Sequence, residues 1–174
     1  VGNTSALADH KDYFTFLDVA EEVLRVEPSV YFVVLGDGPL KKEIHDYAKG
    51  KTQADRIIFA GFREDIPKII KELDLFLITS KTEGLGTSIL DAFASQIPVV
   101  ATAAGGIPEL VEDGRTGLLC PVKEVNQLVN AVQQLKQNEV LRKELVTKAY
   151  EKVQSFSKKN TAEATLKVYA TVFS

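Results

Sequence analysis

The chain has 174 residues, 45% hydrophobic and 26% charged, with a net charge of -3. That is one domain's worth of chain, enough to bury a core, and its balance of charge argues against a basic groove for nucleic acid. No apolar run approaches the roughly 18–20 residues that cross a bilayer, and no charged-then-apolar leader opens the chain, so a cytoplasmic protein is expected.

Val1–Leu7 reads as a weak first strand. Asp12–Glu27 follows as a helix, with Phe16, Leu17, Ala20, Val23 and Leu24 on one face and Pro28 at its end. Val30–Leu35 is a β-branched and aromatic run of the kind that is buried on both faces of a sheet. After the turn residues 36–39, Leu40, Ile44, Tyr47 and Ala48 mark a helix, whose His45 reads as a surface residue. The cycle repeats with strands at Arg56–Ala60, Leu75–Ile78, Pro98–Ala101 and Thr116–Cys120. Helices fall between them at Ile66–Leu73, Ser88–Ser95 and Ile107–Glu112. From Val122 onward the chain reads as three helical segments with breaks near Asn138 and Phe156. From Lys123 to Lys159 the charged residues read as solvated faces and the Leu, Val and Ala as core.

This alternation predicts an α/β fold: a doubly wound, parallel, Rossmann-like sheet of about six strands. Residues 1–174 form a single domain with no internal linker. Met is absent and Cys120 is the one cysteine. The first predicts a piece of a longer protein. The second excludes a disulfide framework and reads as a buried small hydrophobe.

Ligands of such sheets bind beyond the carboxyl ends of the strands, which directs attention to loops 8–12, 36–39, 61–65, 79–87 and 102–109. The richest runs from Thr79 through Glu83-Gly84-Leu85-Gly86-Thr87 into a helix carrying Asp91. Gly84 and Gly86 permit tight turns and close backbone approach, and the helix start offers free N–H groups and a positive dipole end to an anion. Eight residues, part loop and part helix, span on the order of 12 Å, about the reach of a sugar, a diphosphate and a ribose. Two readings of the acids stand. Glu83 and Asp91 grip the two ends of such a ligand, or Glu83 is a solvated loop acid and Asp91 closes a capping box with Ser88.

Elsewhere, Gly36-x-Gly38 after a strand is a poor dinucleotide fingerprint, because the third glycine is absent and Asp55 precedes the next strand. Asp9, His10 and Asp12 raise the idea of a metal, but no second ligand cluster accompanies them. His10 reads as solvated or capping.

Glu83-Gly-Leu-Gly through Asp91-Ala-Phe-Ala94 resembles the E-x7-E motif of the retaining, GT-B-fold glycosyltransferases of family 4. Lys11-Asp-Tyr, Gly36-Asp-Gly-Pro39, Phe59-Ala-Gly-Phe62, Gln96-Ile-Pro-Val-Val100, Gly105-Gly-Ile-Pro-Glu109 and Asp113-Gly-Arg-Thr-Gly-Leu-Leu119 resemble its other motifs, in family order, over nearly the whole chain. The resemblance implies the donor-binding half of a hexosyltransferase that uses a nucleoside-diphosphate sugar as substrate, with no cofactor and no metal. Lys11 would hold the diphosphate, helped by backbone of Gly84, Leu85, Gly86 and Thr87. Glu83 would be catalytic, beside the transferred sugar, and Asp91 would take the ribose hydroxyls. Gly36 and the backbone around Phe62 and Arg63 would complete the donor site. The N-terminal acceptor domain is expected to be absent from this chain, and membrane-surface association of the full-length protein is compatible with the family.

Two positions depart from the family pattern. Asp91 stands where the family has Glu, drawing the carboxylate back by about 1–1.5 Å, one C–C bond. Ala6 stands where the family has a second phosphate-binding cation, Arg. The residues show no nucleophile with a paired base, as a two-step retention would need, which fits the front-face route proposed for the family. Rival readings are a GT-B relative such as a nucleotide-sugar epimerase or phosphorylase, a non-catalytic nucleotide-binding module, and a flavodoxin-like domain sharing only the fold.

Overall fold

A computed structural model describes residues 1–172. Six short strands, β1 (Gly2–Thr4), β2 (Phe32–Leu35), β3 (Ile57–Gly61), β4 (Phe76–Ile78), β5 (Val99–Thr102) and β6 (Leu118–Cys120), form one sheet in the order β3-β2-β1-β4-β5-β6. Every pairing is parallel, so each connection must cross over a face, and the helices α1 (Tyr13–Val26), α2 (Lys41–Lys49), α3 (Ile66–Ile70), α4 (Thr87–Ala94), α5 (Ile107–Leu110), α6 (Val125–Gln137) and α7 (Glu139–Val153) cover both sides. The doubly wound architecture expected from the sequence is the one observed. Strands and helices fall where their periodicity places them, with ends shifted by a few residues.

Two apolar layers result. On one face the stripe of α1 packs with α2 and α6 over Phe32 and Val34 of β2, Leu77 of β4 and Val100 of β5. Phe16, without exposed surface, meets Phe32 edge-on at 5.6 Å between ring centroids, a contact that contributes about 0.5–1.5 kcal/mol beyond area burial. On the other face α3, α4 and α5 and the end of α7 enclose Phe76, Ile89, Phe93, Ile97 and Ile107. Cys120 is buried in β6, and burial pushes its thiol up to about 11, so it packs as a neutral small group. His45 is half-buried rather than a surface residue: its ring stacks on Phe59 at 3.9 Å.

The C-terminal helices break at Asn138, whose side chain accepts from Leu141 N–H, and again before α8 (Lys158–Val172). Leu128, Val132 and Leu135 of α6 and Leu145 of α7 are core, as expected. The last helix, α8, differs from the two before it. None of its residues is buried, and Leu166 and Val172 are 66% and 69% exposed. The apolar pattern reports a helix with an apolar face, but α1 to α7 already occupy both faces of the sheet.

The strand order reverses between β1 and β4, and there the sheet opens. Their register is a single pair, Gly2 with Phe76. One residue on, the Asn3 side chain takes over the bridging: its Nδ2 donates to the Leu77 carbonyl at 2.6 Å. Its Oδ1 accepts from Tyr13 Oη and Ser5 Oγ at 2.8 and 2.9 Å. Burial pushes the Tyr13 phenol up to about 12, which keeps it a donor. Asn3→Leu, close in volume but without the polar groups, should cost about 1–2 kcal/mol, read as a melting point lower by about 2–8 °C. An unchanged melting point would show that the network contributes nothing.

Candidate functional site

The splayed β1–β4 junction is the topological switch point, where open α/β sheets hold ligands. A cleft of about 400 Å³ opens there. Loop residues Ser5 and Ala6 after β1, Gly36 and Asp37 after β2, and Phe62 and Arg63 after β3 form one wall, and Thr87, Ser88 and Asp91 of α4 the other. A larger hollow, about 500 Å³, lies at the opposite, amino edge of the sheet around Val1, Tyr31 and Leu75, away from these loops.

Close approach builds the cleft floor. A Cβ on Gly36 would stand 2.0 Å from the Ser5 carbonyl oxygen, so the loops after β1 and β2 meet only because that residue is glycine. Phe62 projects from the β3 loop with 72% of its surface exposed. Arg63 is tied to Asp65 through two 2.8 Å hydrogen bonds. Ala6 is exposed on the cleft wall.

α4 begins at Thr87, with Gly86 before it in the left-handed region at φ 77 and no side-chain cap. The capping-box reading of Asp91 is overturned: the helix starts two residues earlier than that reading needs, with Gly86 rather than Ser88 at its N-cap, and the Asp91 carboxyl makes no hydrogen bond among the described residues. Its carboxyl lies in the cleft wall on the exposed first turns of α4, where loss of surrounding water raises its pKa. A group whose pKa is raised by folding carries a cost when ionised, absent at low pH and complete above the folded pKa. Asp91→Asn should therefore raise the melting point at pH 7 and leave it unchanged near pH 3, while weakening nucleotide binding. A melting point lowered at pH 7 would contradict the desolvation argument.

The other predicted residues gather beyond the cleft. Lys11, in a 3₁₀ turn (Asp9–Lys11), and Glu83, after β4, meet in an ion pair of 2.5 Å, with side chains 14% and 12% exposed. Buried Thr79 ties down the lysine loop, its hydroxyl donating to the carbonyls of Lys11 and Asp12 at 3.2 and 3.0 Å. Lys81 N–H donates to the His10 carbonyl at 2.8 Å, and its Nζ pairs with Asp9. Asp12 is turned away and buried, accepting from Thr15, so Asp9 and Asp12 do not converge.

Two glycines given no role by sequence complete this end. Gly106 N–H donates to the Glu83 carbonyl at 3.0 Å. A Cβ on Gly105 would stand 2.0 Å from that oxygen, and one on Gly106 1.9 Å from the Gly84 oxygen. The Gly105-Gly106 pair was visible as a motif, but its contact with the Glu83 turn was not. Gly84 itself meets nothing: a Cβ there would enter open space, so no internal contact demands glycine at that position. Gly84, Leu85 and Gly86 carry the backbone from the Lys11–Glu83 pair to the cleft rather than lining it.

The family described as glycosyl transferases group 1 matches residues 1–152. The chain belongs to that family. A lipopolysaccharide core biosynthesis glycosyltransferase, LpsE of Rhizobium meliloti, is 31% identical over 89% of this chain and 46% of its own length. N-acetyl-alpha-D-glucosaminyl L-malate synthase of Bacillus anthracis is 30% identical over 78% of this chain and 36% of its own. This group 1 glycosyltransferase chain thus spans less than half the length of those relatives. Among solved structures, a variant of S. aureus TarM in complex with fondaparinux, alpha-GlcNAc-glycerol and UDP superposes with a TM-score of 0.90, at 28% identity over 97% of this chain and 34% of that one. Anabaena HepE in complex with UDP-glucose gives a TM-score of 0.87, at 28% identity over 97% and 48%. The group 1 domain shares its doubly wound sheet with these GT-B enzymes, and among the described residues no helix is long and apolar enough to cross a membrane.

Proposed function

We propose that the domain binds a nucleoside-diphosphate sugar along the carboxyl edge of its sheet, and that the full-length protein transfers the hexosyl group to an acceptor hydroxyl with retention. The observation that carries this reading is the placement of two acids on either side of the α4 start. Asp91 lines the cleft beside Phe62 and Arg63, and Glu83 lies at the far end beside Lys11 and the Gly105-Gly106 turn. The base sits by Phe62 and Arg63, the ribose diol on Asp91, the diphosphate over the α4 N–H groups and Lys11, and the sugar against Glu83. The UDP and UDP-glucose in the neighbouring structures support a ligand of this class.

In the reaction the bond between the anomeric carbon and the phosphate oxygen breaks while the acceptor oxygen bonds to the same face. The acceptor proton passes to the departing phosphate oxygen. Charge grows on the diphosphate and on an oxocarbenium-like sugar. Lys11 and the α4 terminus stabilise the first, and Glu83 the second. No metal takes part in this scheme. The acceptor is held by a second domain, so this chain by itself binds donor and transfers nothing.

The test is a titration of the domain, in EDTA, with UDP, GDP and ADP, each with and without its sugar. One nucleotide should bind selectively, weakly in Lys11→Ala, and more tightly in Ala6→Arg by up to about tenfold for one added charge-assisted contact. Glu83→Ala should remove the part of the affinity due to the sugar. No binding of any of the six ligands, or full turnover by the isolated chain, would overturn the proposal.

A further inference from the structure

Glu83 is held by more than its lysine. Ser80, the second residue after β4, has no exposed surface, and its Oγ donates to Glu83 Oε2 at 3.1 Å. The Ser80 carbonyl accepts from Thr102 Oγ1, at the end of β5, at 2.7 Å, and Thr102 is equally buried. A rigid line thus runs from β5 through β4 to one oxygen of the glutamate. Lys11 Nζ contacts that same oxygen, and among the described residues Oε1 has no hydrogen-bond partner.

The two anchors differ in what donor binding asks of them. On the reading above, Lys11 must turn its charge to the diphosphate and so cannot remain committed to Glu83. Ser80 Oγ makes no other hydrogen bond among the described residues, and its backbone carbonyl is held by Thr102 at the end of β5. A glutamate released by its only anchor would regain rotamer freedom and lose its alignment with the sugar. We propose that Ser80 is a positioning residue for sugar recognition: it keeps Glu83 Oε2 fixed when Lys11 moves to the phosphates, leaving Oε1 free for a hydroxyl of the transferred sugar. The inference rests on the reading of Glu83 as the sugar-facing acid.

A buried serine hydroxyl could instead serve only the fold, so the test needs a readout that a structural role does not move. That readout is the sugar increment, the ratio of the dissociation constant for a nucleotide to that for its sugar form. It is measured by calorimetry on the 174-residue chain with UDP and UDP-glucose, GDP and GDP-mannose, and ADP and ADP-glucose. Ser80→Ala should reduce the increment by up to about tenfold, the worth of one hydrogen bond to a charged acceptor, and leave nucleotide affinity within about twofold. Ser80→Thr and Ser80→Val share a volume and differ in the hydroxyl, so any packing strain is common to both. The threonine form should keep the increment and the valine form should lose it. An increment intact in both Ser80→Ala and Ser80→Val would overturn the proposal and leave the donor site standing. So would equal losses of nucleotide and sugar-nucleotide affinity, the mark of a purely structural role. A wild-type chain with no increment for any pair would remove the underlying reading of Glu83, and this inference with it.

Discussion

Gly106→Ala should lower the melting point by about 5–15 °C, a cost of about 2–4 kcal/mol, and abolish the sugar-dependent part of donor binding. The backbone at this residue (φ -80, ψ -1) is ordinary right-handed helical geometry that alanine adopts freely. Conformational freedom is therefore not what requires glycine; space is. The new Cβ would lie 1.9 Å from the Gly84 oxygen and 3.0 Å from the Gly84 carbonyl carbon, both backbone atoms. Reaching ordinary van der Waals contact means moving the 83–85 turn by about 1.5 Å. That displacement would strain the Gly106 N–H bond to the Glu83 carbonyl and shift the carboxylate itself, and a 1 Å error in a positioned group is worth about 100-fold. Gly84→Ala is the matched control. Its Cβ meets open space, so its stability should change by less than about 0.5 kcal/mol. Any loss of donor binding it causes reports ligand approach to the backbone. A Gly106→Ala domain that melts and binds like the wild type would refute the packing described for this turn.

The second large effect is expected at the ion pair. Lys11→Ala leaves Glu83 largely buried with Ser80 as its one remaining partner. An acid stripped of its counter-charge should destabilise the domain by about 1–3 kcal/mol, below the figure for a fully buried pair because some solvent reaches both groups. The double variant Lys11→Ala/Glu83→Ala should recover most of that stability, since neither charge is then left alone. Binding should not recover. Losing a charge-assisted contact to the diphosphate weakens nucleotide affinity by about 10- to 100-fold whichever residue stands at position 83. Glu83→Gln separates the two ends of the site further. It frees Lys11 from its competitor, so nucleotide affinity should hold or rise while the gain from the sugar is lost. A double variant that binds nucleotide like the wild type would remove Lys11 from the site.

The amino-acid order by itself determined the elements and their class. Continuous apolar runs such as Val30–Leu35 can only be satisfied by burial on both faces, and the 3.6-residue stripe of α1 requires a sheet to cover it. It also marked the loops after the strands, because glycine, acid and lysine at a strand end have no packing reason to be there. Periodicity says that a face must be buried; it does not say against what. The tertiary structure alone decided that β4 lies beside β1, and that order brings Lys11 and Glu83, 72 residues apart, into contact. It decided that glycine is needed at 105 and 106 to clear the Glu83 turn while position 84 is open, a fact about backbone approach that leaves no local trace. It turned Asp91 into the cleft wall, a matter of two residues in the start of α4, finer than a pattern of residue types resolves. And it left the apolar residues of α8 uncovered where the same pattern in α6 is core, because burial belongs to the pair of surfaces that meet.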